Sequence, residues 1–289
     1  MKNLWNEEEA AVCGDDPLAL RVYSSRLIGC ASDLVLHGGG NTSVKAEFTD
    51  IFGAGHEVLY VKGSGWDLAT IEAAGFSPVA LDALMQLSRF DVLSDADMVR
   101  AQRAAMLDPG APNPSVEAIL HALIPFRFVD HTHADAVVTL TNTPGGEARI
   151  RELYGDRLLV VPYVMPGFVL AKKVAQMTEG IDWTTLQGMV LMNHGIFSFA
   201  DDARESYTRM IDLVTEAEQA LGATSIPTID QSSASALELA TIRYEVSRAA
   251  NRSMLAAFSG SPQSHCFSKR DDVASIATRG PLTPDHVIR

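Results

Sequence analysis

Apolar positions fall into two spacings along the chain. From 17 to 30, Leu18, Leu20, Val22, Leu27 and Ile28 recur at a helical interval and predict a helix. A glycine-rich turn follows at His37-Gly38-Gly39-Gly40-Asn41, then a short strand over 42–48. Glu57-Val58-Leu59-Tyr60-Val61-Lys62 is rich in β-branched and aromatic residues and predicts a strand that ends in Gly63-Ser64-Gly65. Helices are expected near 78–88, 95–106 and 115–123, the last opened by Asn113-Pro114-Ser115 with Glu117 in its first turn. Strands are expected at 127–133, 158–161 and 189–192. Over 203–221, Tyr207, Met210, Ile211, Val214, Ala217 and Leu221 mark one face of a helix. The mixture argues for a single α/β core over roughly 15–222. Beyond Leu221 the character changes. Residues 222–236 read as a linker, 235–257 as a helix, and 259–289 as a tail too short for its own core, expected to pack on the main domain or on another subunit.

Composition narrows the class. The chain has 289 residues, 47% hydrophobic and 20% charged, as ordinary globular proteins do. Lys plus Arg number 23 against 36 Asp plus Glu, so 23 − 36 = −13. That sign argues against nucleic acid as the partner but leaves room for a small phosphorylated ligand in a local site. No apolar run reaches the ~20 residues of a membrane span, and the acidic N-terminus has no signal-peptide core. Cys13, Cys30 and Cys266 are few, odd in number and far apart, which fits free thiols and a cytoplasmic location.

The chemistry-bearing residues are few. In His131-Thr132-His133 the two imidazoles are i and i+2; on a strand they share a face and can ligate one divalent ion. Two ordinary histidines beside a turn would give the same string. His194, in Met192-Asn193-His194-Gly195, lies where a strand runs into a turn. Three histidines from two strand ends are the usual protein complement of a catalytic zinc with an open position. Glu117 is the candidate acid/base, since a carboxylate beside a metal can ligate it at rest and move a proton once displaced. A first-turn Glu also favours the helix dipole with no further role. His121, four residues on, reads as a supporting or packing residue. Gly39-Gly40-Asn41-Thr42-Ser43 and Lys62-Gly63-Ser64-Gly65 each offer backbone N–H groups for an anion, or are plain turns. Gly53-Ala54-Gly55 lacks the third glycine, helix and acid of a dinucleotide fingerprint.

Taken in order, Gly40-Asn41-Thr42-Ser43, Gly63-Ser64-Gly65, Pro114-Ser115-Val116-Glu117, His131-Thr132-His133-Ala134 and Asn193-His194-Gly195 resemble the class II aldolase/adducin family over about 15–222. The resemblance implies an α/β/α three-layer fold around a central, mainly antiparallel sheet in residues 1–222, followed by a linker and C-terminal helical extension in 223–289. It implies a divalent metal, zinc for preference, on His131, His133 and His194, with Glu117 as the catalytic acid/base. Asn41, Ser64, Gly65 and Ser115 then fall on the substrate phosphate. The activity implied is cleavage of a ketose 1-phosphate, such as rhamnulose or fuculose phosphate, to dihydroxyacetone phosphate and an aldehyde, by a homotetramer of carbohydrate metabolism. Glu117 stands where the epimerase branch has Asp. A sugar-phosphate epimerase or dehydratase, and a non-catalytic adducin-like interaction protein, are the alternatives. Val116 departs from the usual Pro-Ser-Ser-Glu and withholds one hydroxyl from the phosphate. Tyr163 is the nearest match to the tyrosine that family aldolases recruit. His37–Ser43, Tyr60–Asp67 and Gly280–His286 further resemble the aldolase half of bifunctional rhamnulose-phosphate aldolase/dehydrogenase proteins. The dehydrogenase half has no counterpart before Arg289, so no NAD requirement is expected.

Overall fold

The computed structural model describes residues 1–222, 235–257 and 261–286. These form two compact units, one of 1–222 with 281–286 and the other of the described residues between 235 and 280. The first unit holds a seven-stranded sheet: β1 Asn41–Thr49, β2 Gly55–Lys62, β3 Phe76–Ala80, β4 Phe128–Thr132, β5 Leu158–Val161, β6 Gly188–Leu191 and β7 Gly195–Ala200, in the order β3-β2-β1-β4-β7-β6-β5. Every pairing is antiparallel except β5 with β6. Its helices are α1 Glu7–Ala11, α2 Pro17–Gly29, α3 Leu81–Leu87, α4 Asp95–Ala104, α5 Ala118–Leu123, α6 Asp135–Thr141, α7 Gly146–Tyr154, α8 Phe168–Met177 and α9 Ala203–Leu221.

Side chains alternate across the sheet, as a period of two requires. In β6 and β7, Met189, Leu191, Phe197 and Phe199 enter one core with residues of α3, α5 and α8. Val190 and Ile196 enter the other, with α2, α6, α7 and α9. Two cores on opposite faces of one sheet make the expected three layers. All residues of β6 and β7 are buried, which is why β6 reads as an unbroken apolar run rather than an alternation.

Two polar devices fix elements that carry the site. The Arg21 guanidinium of α2 meets the Asp130 carboxylate of β4 at 2.6 Å, both fully buried, and Ser206 of α9 donates to the other carboxylate oxygen at 2.5 Å. The Lys45 ammonium donates to the carbonyls of His121 (3.1 Å), Ile124 and Phe126 (2.8 Å), at the C-terminal end of α5, where unpaired carbonyls favour a cation. Burial pushes this ammonium down to about 7.

The expected helix at 78–88 is shorter than its pattern suggests. Pro78, Val79 and Ala80 belong to β3, an edge strand on which a proline needs no ladder partner for its missing N–H, and α3 begins at Leu81. In the second unit, α10 Ala236–Ala249 opens with a capping box between Ser235 and Glu238. It stops short of the expected 257, and Asn251 takes a left-handed φ of 50° just past its end. Two short helices follow, α11 Pro262–Ser268 and α12 Val273–Ile276, in what read as an aperiodic tail. The expected linker at 222–236 lies mostly outside the described residues. Among those described, no helix is long and apolar enough to cross a membrane.

Candidate functional site

The site gathers at one end of the central strands. His131 lies on β4, directly opposite Asn41 of β1 and Phe197 of β7, and the Phe197 ring stacks on its imidazole at 4.1 Å. His133 follows two residues later, just past the strand. His194 sits in the tight turn between β6 and β7, where Asn193 adopts a φ of 58° and its side-chain amide donates to Asn142 at 2.7 Å. Gly195 lets β7 press against this corner. A Cβ there would lie 2.3 Å from the Thr132 carbonyl oxygen and 2.9 Å from His131 Cε1.

The three histidines the sequence singled out are thus brought together, with ligating atoms all within 4.8 Å of one another. His131 Nδ1 donates to the Ile196 carbonyl at 3.1 Å, and His133 Nδ1 donates to the Asp285 carboxylate. With both Nδ1 atoms carrying hydrogen, the two Nε2 lone pairs face each other at 3.2 Å. Glu117 closes the ring, with Oε2 3.4 Å from His131 Nε2 and Oε1 3.4 Å from His194 Nε2. Burial, reinforced by the neighbouring imidazoles, holds His131 well below its usual titration range, and burial lowers His194 too. Three imidazole rings crowded beside a buried carboxylate make a donor set into which a cation fits. Glu117 Oε1 is buried with no hydrogen-bond partner among the described residues. The donor set therefore fits a divalent metal, and imidazole nitrogen with carboxylate oxygen suits zinc.

Glu117 is held from behind. It is the N-cap of α5 and only 4% exposed, and its own N–H donates to Ser115 Oγ at 3.2 Å. The Asn41 amide donates to Glu117 Oε2 at 2.6 Å. His121 Nε2 donates to the Asn41 side-chain carbonyl, and the Ser43 hydroxyl donates to His121 Nδ1 at 2.7 Å. Burial pushes His121 down to about 3, so the ring is neutral, as this relay requires. His121 is thus the supporting residue the sequence suggested. Asn41 spends one amide hydrogen on Glu117 and keeps the second for the cleft.

A cleft of about 240 Å³ opens over this cluster. Asn41, Ser64, Gly65 and Ser115 all line it, together with Glu117 and His194. Gly65 has a φ of +84°, a turn geometry that favours glycine. Val116 also lines the cleft. Tyr163 is absent from the lining and exposed, whereas Pro166 on the same loop takes part. Two contributors were not foreseen. Lys62 presents a buried ammonium to the cleft, donating to the Gly38 carbonyl at 2.7 Å, and burial pushes it down to about 8. Its signal was a lysine in phase with Val58 and Tyr60 along β2. Asp285 carries no local signal, since it lies 152 residues from its partner His133.

The family model for the class II aldolase and adducin N-terminal domain matches residues 21–221, and the model for the aldolase class II second domain matches 233–289. The chain belongs to the class II aldolase/adducin family. It is 39% identical over 220 residues, 76% of its length, to the uncharacterized oxidoreductase YuxG of Bacillus subtilis (strain 168), and spans 31% of that protein's length. The N-terminal class II aldolase domain of a conserved protein from Thermoplasma acidophilum is 41% identical, with a TM-score of 0.68 over 76% of this chain and 99% of that one. A sugar-phosphate aldolase from Thermotoga maritima shares the fold at 17% identity, with a TM-score of 0.50 over 72% and 97% of the two chains. Class II aldolases are metal-dependent, and the buried His131/His133/His194 cluster is a place where this chain could hold the ion.

Proposed function

We propose that this protein is a zinc-dependent aldolase that cleaves a ketose 1-phosphate of the rhamnulose- or fuculose-phosphate type to dihydroxyacetone phosphate and an aldehyde. The observation that carries this reading is the gathering of three imidazoles with ligating atoms within 4.8 Å of one another, two of them with Nε2 against the Glu117 carboxylate, beneath a cleft lined with anion-binding groups. When bound by His131, His133 and His194, the metal supplies Lewis-acid polarisation of the sugar's carbonyl and neighbouring hydroxyl oxygens. Ser64, Gly65, Ser115, the second Asn41 N–H and the Lys62 ammonium bind the phosphate. As the C3–C4 bond breaks, the C4 hydroxyl loses its proton and becomes the aldehyde. The bonding pair remains with the C3 fragment, and Glu117 returns a proton to C3. Overall one proton moves from the C4 hydroxyl to C3.

The products test the reading. With rhamnulose 1-phosphate or fuculose 1-phosphate, dihydroxyacetone phosphate is expected in a coupled glycerol-phosphate dehydrogenase assay, from protein carrying about one metal per chain. Ribulose 5-phosphate run in parallel should yield no xylulose 5-phosphate. Epimerised pentose phosphate without triose phosphate would replace the aldolase with an epimerase on the same metal centre. Equal turnover of dephosphorylated sugar would remove the phosphate pocket, and Val116, which offers the cleft no hydroxyl, is the observation that favours that second reading.

Lys62 gives the phosphate pocket a pH signature. Its ammonium is charged below about 8 and discharged above it. The kcat/KM for a phosphorylated substrate should therefore fall as pH rises through that value. Lys62→Met should lower kcat/KM at neutral pH and flatten this limb. A limb unchanged in the variant would assign it to another group.

A further inference from the structure

We propose that Asp285, in the segment after the second unit, is a positioning residue for the metal centre: it holds His133 with its Nε2 lone pair turned toward His131 and His194. The proposal rests on the reading of those histidines as metal ligands. Asp285 is 1% exposed and its carboxylate bridges two loops. One oxygen takes the His133 Nδ1 hydrogen, and the other accepts the Leu36 N–H at 2.8 Å. The glycine-rich loop is shaped around it. A Cβ on Gly39 would lie 1.9 Å from Asp285 Oδ1 and 2.1 Å from its Cγ, so any side chain at 39 displaces the carboxylate. The bareness of Gly39, which in the sequence suggests a cradle for an exogenous anion, is here used by an anion of the chain itself.

The three histidines are held unequally. His131 has a backbone carbonyl at Nδ1, His133 a carboxylate, and His194 Nδ1 has no partner among the described residues. A carboxylate on the far nitrogen of a ligating imidazole fixes its tautomer and ring orientation and increases its donor strength toward the metal. The benefit runs both ways. Asp285 is a buried carboxylate whose hydrogen bonds come from one backbone N–H and one imidazole N–H. The Lys62 ammonium is one cation that interacts with it, and a metal on the opposite side of the imidazole would be a second. Thr283, also buried, and the short 3₁₀ turn Pro284–His286 bring the carboxylate to this point.

The test uses the full chain and Zn²⁺ alone. Asp285→Asn retains the shape and an acceptor for Leu36 but removes the charge; Asp285→Ala removes both; Gly39→Ala displaces the carboxylate and leaves it in the chain. Zn²⁺ affinity is measured by competition with a chromogenic chelator, the visible absorption of the Co²⁺-substituted proteins is recorded, and metal-free melting is followed alongside. Each variant should bind Zn²⁺ about 10–100-fold more weakly than the parent, with an altered Co²⁺ spectrum. Wild-type affinity and spectrum in Asp285→Asn, with lowered metal-free melting, would make Asp285 a structural anchor and overturn the proposal. If Asp285→Ala fails to fold, Asp285→Asn decides. Failure of the parent chain to bind Zn²⁺ removes the proposed function and this inference together. Binding by the parent with no loss in Asp285→Asn or Gly39→Ala removes this inference alone.

Discussion

Glu117→Gln is expected to lower kcat on the ketose phosphate by about 10²–10⁴-fold, the range a positioned general acid/base contributes, with little change in KM. The substitution keeps the length and planarity of the side chain. Its amide oxygen can still accept from Asn41, and the N–H at the head of α5 still reaches Ser115. What disappears is a group able to give and take a proton beside the histidine cluster. Circular dichroism and the melting curve should match the parent, and the metal content should remain about one per chain on three imidazoles. Turnover within a few-fold of the parent would show that the Glu117 carboxylate is structural, serving only to tie Asn41 to the head of α5.

The second large effect is on stability. Arg21→Met leaves Asp130 as a buried carboxylate that keeps only the Ser206 hydroxyl and no cation. Breaking one side of a buried pair typically destabilises by roughly 3–5 kcal/mol, out of a total of roughly 5–15 kcal/mol for a domain. For a domain of this size that is a melting temperature lower by about 6–20 °C. Because Asp130 is the residue before His131, the loss should be read on metal-free protein, where ligand stabilisation does not mask it. The double variant Arg21→Met/Asp130→Leu removes both charges and should recover a large part of the loss. If the single variant melts within a degree or two of the parent, water or local repacking satisfies Asp130, and the pair is not what binds α2 to the centre of the sheet.

Elements with a strong period could be read directly from the chain. The one-faced spacing from Tyr207 to Leu221 is α9, and the apolar run bounded by Gly188 is β6. The His-x-His reading needed only the pleat of a strand, and the imidazoles do share a side. Other elements contradict their local preference. Helix α6 is Asp135-Ala136-Val137-Val138-Thr139-Leu140-Thr141, rich in β-branched residues that would suit a strand. Burial of Val137 and Leu140 in the core on that face of the sheet, with Val138 buried as well, overrides that preference. β3 has only five residues with a proline at its centre and declares itself only through its pairing with β2. Within the site, the convergence of Asn41, Glu117 and the histidines depends on β1, β4 and β7 lying side by side, a tertiary fact that no spacing encodes. Motif order could be read from the sequence; the relay from Ser43 through His121 and Asn41 to Glu117 could not, because every bond in it joins β1 to the N-terminal part of α5, which are far apart along the chain.

The downstream origin of Asp285 also sets an order of events during synthesis. His194 precedes it by 285 − 194 = 91 residues. At the usual pace of about 5–20 residues per second, all three histidines are made roughly 5–20 s before the carboxylate that braces His133. During that interval the growing chain has a centre that can meet a metal without its brace. If Asp285 braces His133 as proposed, ions captured then should exchange more freely than they do once residue 285 has arrived. On the proposed reading of the histidines as metal ligands, metal choice is thus left open early in synthesis and narrowed once the turn at Pro284–His286 docks beside Gly39.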